Sequence, residues 1–289
     1  MHTTLINAQA LLSLIAQGQT PKIFDCSFDL ARASVGRQQY EESHIPGAIY
    51  ADLDVDLSDK RPEAQPSPAS GGRHPLPHRE RFANWLRKVG VHQGQQIVVY
   101  DRQGSSFCGR LWWMLKWAGH EAVAVLDGGL AAWQTAGGAV ETGSGPASMT
   151  PGNFVLGAAL AELVTVDQVA GQLGQASQTI VDARAQPRYR GEVEPLDPVA
   201  GHIPGALNRP YTLNMEGDGR FKPADQLRQE FLALLGQRPP GSVVHQCGSG
   251  VTATANLLAM EVAGLGRAPL FAGSWSQWCS DPARPVERG

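Results

Sequence analysis

Residues 245–252 read His-Gln-Cys-Gly-Ser-Gly-Val-Thr, after the apolar pair Val243–Val244 and before a helical run, Ala253–Val262. A cysteine on a glycine-containing turn between a strand and a helix is surrounded by inward-pointing backbone N–H groups. The helix N-terminus ahead of it adds partial positive charge. Both favour a thiolate, or any anionic group attached to that sulfur, so the sequence predicts a nucleophilic Cys247 of lowered pKa. The amides of Gly248, Ser249, Gly250, Val251 and Thr252 are the predicted cradle for that charge. A cysteine-dependent phosphatase would also need an arginine at residue 253, which is alanine, so phosphate-ester hydrolysis is disfavoured. His245 shares a strand face with Cys247 and is read as a packed histidine rather than a catalytic one.

The elements that position this loop occur twice. His-Ile-Pro-Gly-Ala appears at 44–48 and again at 202–206, with Ile-Phe-Asp25 and Ile-Val-Asp182 upstream of the two copies. Ile97–Asp101 and Val243–Cys247 follow in the same order, each leading into a helical run. Motifs in one order at nearly one offset mean a duplicated domain. Short Val/Ile-rich runs alternating with helical patterns predict an α/β fold, each half a mostly parallel open sheet flanked by helices. The expected division is a non-catalytic first domain over 1–137, a Gly/Ser/Pro-rich linker over 138–156 and a catalytic second domain over 157–289. The proline-rich stretch Lys60–Pro77 is expected to be a long surface loop.

Ligands of open α/β sheets bind beyond the carboxyl ends of the strands, where Cys247 lies. Its counterpart in the first half is Asp101, which cannot act as a sulfur nucleophile. One half is therefore expected to carry the chemistry and the other to supply a wall of a cleft. Because His44, His202, Asp25 and Asp182 recur in both halves, they are read as structural. Cys26, Cys108 and Cys279 are read as inert packing, as are Trp112, Trp113 and Trp117. Arg184 is expected to brace its domain by pairing with a carboxylate, and Trp275 and Trp278 to line the cleft near the sulfur.

Composition narrows the partners. A chain of 289 residues with 42% hydrophobic and 18% charged residues is a soluble globular type, and a net charge of −3 gives no reason to expect nucleic acid. No stretch approaches the length of a membrane span, and no His, Cys and carboxylate cluster has metal-ligand spacing. Neither a metal nor another cofactor is expected. Widely spaced cysteines without a Cys-x-x-Cys pair point to free thiols in a reducing compartment, the cytoplasm. The loop and the duplication also fail to match a papain-like protease.

Cys247-Gly-Ser-Gly-Val-Thr252, the two His-Ile-Pro-Gly-Ala motifs, Asp182-Ala-Arg184 and the ending Gly273-Ser-Trp-Ser-Gln-Trp-Cys279 resemble the rhodanese-like sulfurtransferases with two tandem domains. The resemblance implies that the loop cysteine accepts a sulfane sulfur, becomes a persulfide and passes the sulfur to a thiol or cyanide acceptor, with a thioredoxin-like reductant as a further partner. Within that family, Cys-Gly-Ser-Gly-Val-Thr is the form of the 3-mercaptopyruvate sulfurtransferases, whereas thiosulfate sulfurtransferases carry basic residues in the loop. A neutral loop suits a donor whose charge sits on a remote carboxylate. The alternatives left open are thiosulfate:cyanide sulfur transfer and a non-enzymatic persulfide carrier.

The resemblance also assigns residues. Arg188 matches the arginine that binds the donor's anionic end, while Leu196 stands where a second arginine is expected, leaving Arg190 or Arg73 as the substitute. Ser249, His74 and Asp59 match the members of a Ser–His–Asp relay that polarises the substrate.

Overall fold

The computed structural model describes residues 1–61, 69–146 and 149–289. The middle of the proline-rich stretch (62–68) and two residues of the expected linker (147–148) lie outside the described residues. The chain forms two compact units that are not contiguous in sequence. One comprises Met1–Asp59, Pro77–Leu160 and Met215–Phe221; the other comprises Lys60–Leu76, Ala161–Asn214 and Lys222–Gly289. A single cut near the linker therefore does not separate them, because the described residues of 60–76 belong to the second unit.

The first unit holds β1 (Leu5–Ile6), β2 (Lys22–Asp25), β3 (Ile49–Tyr50), β4 (Ile97–Tyr100) and β5 (Val123–Leu126), in the spatial order β1-β5-β4-β2-β3. All pairs are parallel, and the β2–β4 register runs from Lys22 opposite Ile97 to Asp25 opposite Tyr100. Every residue of β4 and β5 is buried, which is why these strands read as unbroken apolar runs rather than alternating ones. Val98, Tyr100, Ala124 and Leu126 form one core with Leu11, Tyr40, Leu130 and Trp133 from flanking helices. The helix Cys108–Trp117 is buried at every position, so Trp112, Trp113 and Trp117 are core residues as expected. Each large apolar side chain buried in this way contributes about 1.5–3 kcal/mol.

The second unit holds β6 (Thr179–Asp182), β7 (Leu207–Asn208) and β8 (Val243–Gln246), ordered β7-β6-β8 with parallel pairing. Single parallel bridges join His245 to Leu270 and Leu270 to Leu163. The resulting order, 163-270-β8-β6-β7, repeats that of the first sheet element for element.

The duplicated His-Ile-Pro-Gly-Ala motif has one structural job in each unit. His44 Nδ1 bonds the Tyr40 carbonyl at 2.7 Å and the ring stacks on Tyr40 at 4.0 Å. His202 Nδ1 bonds the Tyr189 carbonyl at 2.8 Å and stacks on Tyr189 at 3.8 Å. In each case a glutamate, Glu141 or Glu287, faces the histidine and accepts the N–H of the motif's glycine, Gly47 or Gly205. The histidines pin a turn, as their recurrence in the half without a loop cysteine implied.

Candidate active site

Cys247 begins the turn that leaves β8, and its backbone is held from the far side. Its N–H donates to Ser274 Oγ at 3.1 Å, and its carbonyl accepts from the Trp275 N–H at 3.1 Å. Gly250 makes the turn possible. Its φ of 73° favours glycine, and a Cβ there would lie 2.1 Å from the Ala272 carbonyl oxygen. The helix Ala253–Val262 follows with no side chain capping its first turn. Among the described residues, no acceptor meets the N–H groups of Ser249, Val251, Thr252 or Ala253. Such a ring of uncommitted amides above a buried sulfur can hold an anion.

The same turn in the first unit carries its own anion. The Asp101 carboxylate accepts four backbone N–H bonds, from Gln103 and Ser105 at 2.9 Å, Phe107 at 2.8 Å and Cys108 at 2.9 Å. An aspartate at this position fills its own amide cradle and caps the helix behind it. A cysteine at this position leaves the cradle open.

The surroundings of the second cradle are more charged than its Gly-Ser-Gly sequence suggests. A Cβ placed on Gly248 would meet Arg73 Nη2 at 3.1 Å and Arg188 Nη1 at 3.4 Å. At Gly248 the missing side chain leaves room for the two guanidinium ends, and its φ lies outside the left-handed region. These two nitrogens make no hydrogen bond among the described residues. The other edges of the guanidiniums are tied back: Arg73 Nη1 to Asp197, and Arg188 to Glu194 at 2.7 Å and Asp197 at 3.3 Å. Arg184 is held by Asp182 at 2.7 Å and by the Gly201 carbonyl, with its guanidinium over the Trp275 ring. Burial opposes its charge, but Asp182, Glu194 and Cys247 outweigh burial and raise its pKa. Arg184 is therefore the brace the sequence suggested.

Of the two expected substitutes for the missing arginine at Leu196, the structure brings Arg73 to the loop. Arg190 is half-exposed and faces Glu192 at 3.7 Å. Leu196 itself is 43% exposed. Arg73 is delivered by the segment Ala69–Leu76, which is closed by the Ala69 N–H to the Leu76 carbonyl and anchored by the Arg73 N–H to Ser276 Oγ at 3.0 Å. The same segment sets His74 Nδ1 2.8 Å from Ser249 Oγ, with both residues buried. Asp59 lies in the first unit, buried and in an ion pair with Arg81.

Two expectations need revision or sharpening. Trp275 and Trp278 do not open onto a cleft: both are fully buried in the second unit's core, with indole N–H groups on the Val199 and Pro285 carbonyls. Their aromatic area is spent on packing, and it is the Trp275 backbone that supports the loop. His245 is neutral at ordinary pH, because burial and then Arg209 push its pKa down to about 3. Its Nε2 faces Met260 Sδ.

Ser274 escaped the sequence reading. It has a φ of 53° without being glycine, and its hydroxyl is the group that fixes the Cys247 amide. The first unit has Gly129 at the corresponding place, with a φ of 58°. A serine where the repeat keeps glycine accepts backbone strain of about 1–2 kcal/mol; comparing the repeats residue by residue was the signal that could have found it. Asp197 was also missed, since nothing local marks an aspartate as the partner of Arg73, 124 residues earlier.

No helix among the described residues is long and apolar enough to cross a membrane, and no group of His, Cys, Asp and Glu among them could hold a metal ion.

Two parallel α/β units, one carrying a cysteine in an open amide loop, are the makings of paired rhodanese-like domains. That family matches residues 7–136 and 165–281, and the chain belongs to it. A Pseudomonas aeruginosa protein named as a probable 3-mercaptopyruvate sulfurtransferase is 46% identical over 286 residues, 99% of this chain and 98% of that protein. A Mycobacterium tuberculosis protein named as a putative thiosulfate sulfurtransferase, SseB, is 40% identical over 99% of this chain and 97% of its own length. The crystal structure of SseA from Escherichia coli, titled for 3-mercaptopyruvate sulfotransferases, superposes with a TM-score of 0.77 at 33% identity, covering 95% of this chain and all of that one. The chain is a rhodanese-fold sulfurtransferase that transfers sulfane sulfur through a cysteine persulfide.

Proposed function

We propose that Cys247 takes its sulfur from 3-mercaptopyruvate and delivers it to a thiol or cyanide acceptor. The observation that carries this reading is the pair of uncommitted guanidinium nitrogens, Arg73 Nη2 and Arg188 Nη1, over Gly248 and one residue from Cys247. Two arginine edges suit a carboxylate. A donor anchored there by its carboxylate turns its thiol sulfur toward the loop. The Cys247 thiolate attacks that sulfur, an S–S bond forms as the C–S bond breaks, and the electrons of the broken bond leave as the enolate of pyruvate. Ser249, hydrogen-bonded to His74, relays the proton given up by the donor's thiol to the enolate carbon, which yields pyruvate and leaves the persulfide as an anion. Asp59 enters this relay by resemblance alone. The amides of Ser249, Val251 and Thr252 stabilise the persulfide anion, and an acceptor thiolate or cyanide then attacks the outer sulfur and restores the Cys247 thiolate. The name of the Pseudomonas aeruginosa relative supports this donor.

A second reading, thiosulfate as donor, draws support from the same guanidiniums, since they bring positive charge close to a loop that has none. The name of the Mycobacterium tuberculosis relative points the same way. Steady-state kcat/KM with each donor, using cyanide as acceptor, decides between them. The expected result is a clear preference for 3-mercaptopyruvate over many turnovers, with one added sulfur atom on Cys247 in the mass spectrum of the donor-treated protein. A preference for thiosulfate would overturn the donor assignment. Sulfur transfer by Cys247→Ser would overturn the nucleophile, and a single turnover would make the chain a carrier.

A further inference from the structure

Asp197 stands between the two arginines of the loop. Its side chain is 2% exposed, and both oxygens are committed: Oδ1 to Arg73 Nη1, and Oδ2 to Arg188 Nη2 at 3.3 Å. Its own N–H bonds Glu194 Oε1 at 3.2 Å, as does that of Leu196 at 3.0 Å, so the turn carrying it is folded around Glu194. Each guanidinium near the loop thus has its own carboxylate: Asp182 for Arg184, Glu194 for Arg188 and Asp197 for Arg73. The Glu194 carboxyl is held below its usual range despite burial, by hydrogen bonds from Arg188 and from the Leu196 amide.

A cluster built this way offers directed N–H donors without excess positive charge. We infer that Asp197 is a specificity-determining residue, neutralising the Arg73–Arg188 clamp so that it favours a donor with one carboxylate over a dianion such as thiosulfate. The inference rests on the clamp being the donor's anion site, as proposed above. A monoanion adds one negative charge to a balanced cluster and gains the full geometry of the two free edges. A dianion adds two, the second against Asp197 and Glu194, whose side chains are only 2% and 3% exposed, so that the repulsion is weakly screened. In this chain the loop's neutrality and the clamp's neutrality act together: Gly248 makes room for the arginines, and Asp197 cancels the charge they bring.

The test is the ratio of kcat/KM for thiosulfate to that for 3-mercaptopyruvate in wild type, Asp197→Asn and Asp197→Glu. Asp197→Asn keeps an oxygen for hydrogen bonding and removes the charge, so the ratio is expected to rise by about tenfold or more at low ionic strength and by less as salt screens the site. Asp197→Glu restores the charge and is expected to keep the wild-type ratio. If Asp197 only held the arginines in place, both donors would weaken alike in Asp197→Asn and the ratio would stay put, which would overturn the inference. Arg73→Ala and Arg188→Ala, measured in the same assay, isolate the underlying reading: unchanged kcat/KM for both donors in both variants would remove the clamp itself, whatever Asp197→Asn does.

Discussion

Replacing Asp101 by asparagine is a test of how the first unit closes its copy of the loop. The carboxylate accepts four N–H groups, two on each oxygen, at 2.8–2.9 Å. The amide of asparagine turns one of those oxygens into a donor, so whichever way it points, two backbone N–H groups face an N–H. A hydrogen bond to a charged group is worth about 1.5–3 kcal/mol, so losing two costs about 3–6 kcal/mol. Asp101 is 2% exposed, which leaves water little access to repair the loss. Two of the four donors, Phe107 and Cys108, open the helix Cys108–Trp117 beneath the first sheet, so the damage reaches the core. Denaturant unfolding should show the first unit's transition moved to lower denaturant. Hydrogen exchange should show the amides of residues 103–108 losing protection before the rest of that unit. A loss below about 1 kcal/mol with those amides still protected would refute the claim that the aspartate is the loop's built-in anion.

Three further outcomes follow from the second unit. Arg73→Ala should lower kcat/KM for 3-mercaptopyruvate about 10- to 100-fold, the worth of a charge-assisted contact; an unchanged value in steady-state assays removes Arg73 from the site. Gly250→Ala should abolish sulfur transfer, because φ is 73° and the new Cβ would meet the Ala272 carbonyl at 2.1 Å, whereas Gly248→Ala should mainly raise KM by displacing the guanidiniums. Equal kinetics in the two variants would contradict that division of labour. His245 has a folded pKa of about 3 against an ordinary value of 6.5, so between these values the unfolded chain binds the extra proton. The second unit should therefore hold its full His245 contribution above about pH 6.5 and lose a few kcal/mol of it as the pH falls toward 3. Melting curves should show wild type losing stability relative to His245→Leu as the pH falls through that range, and parallel curves would rule the histidine out.

The strands and the loop were legible because their signals are local. Ile97–Tyr100 lies in a parallel sheet buried on both sides and is apolar along its whole length, and Val243–Val244 opens the matching strand in the same way before the buried polar pair His245–Gln246. The loop's Gly-Ser-Gly was legible because a tight turn ahead of a helix restricts residue type at each position. The charge around the loop was not legible in the same way. Resemblance pointed to Arg188 and left Arg190 or Arg73 open, but nothing in the loop's own residues shows that Arg73 and Arg188 both stand over Gly248. The side chains that supply that charge come from distant segments, and no spacing rule connects residue 73 to residues 197 and 248.

The sequence by itself determined the duplication, the α/β class, the single loop cysteine and the structural role of the paired histidines, since each is written in short motifs whose backbone chemistry is self-contained. Only the tertiary structure decided which arginine replaces the one absent at Leu196, that His74 reaches Ser249 across 175 residues, and that Asp197 balances the clamp. Those contacts form because the described residues of 60–76 fold as part of the second unit, away from their neighbours in sequence. Charge balance in a folded site is a sum over neighbours in space, and a linear sequence does not say who the neighbours are.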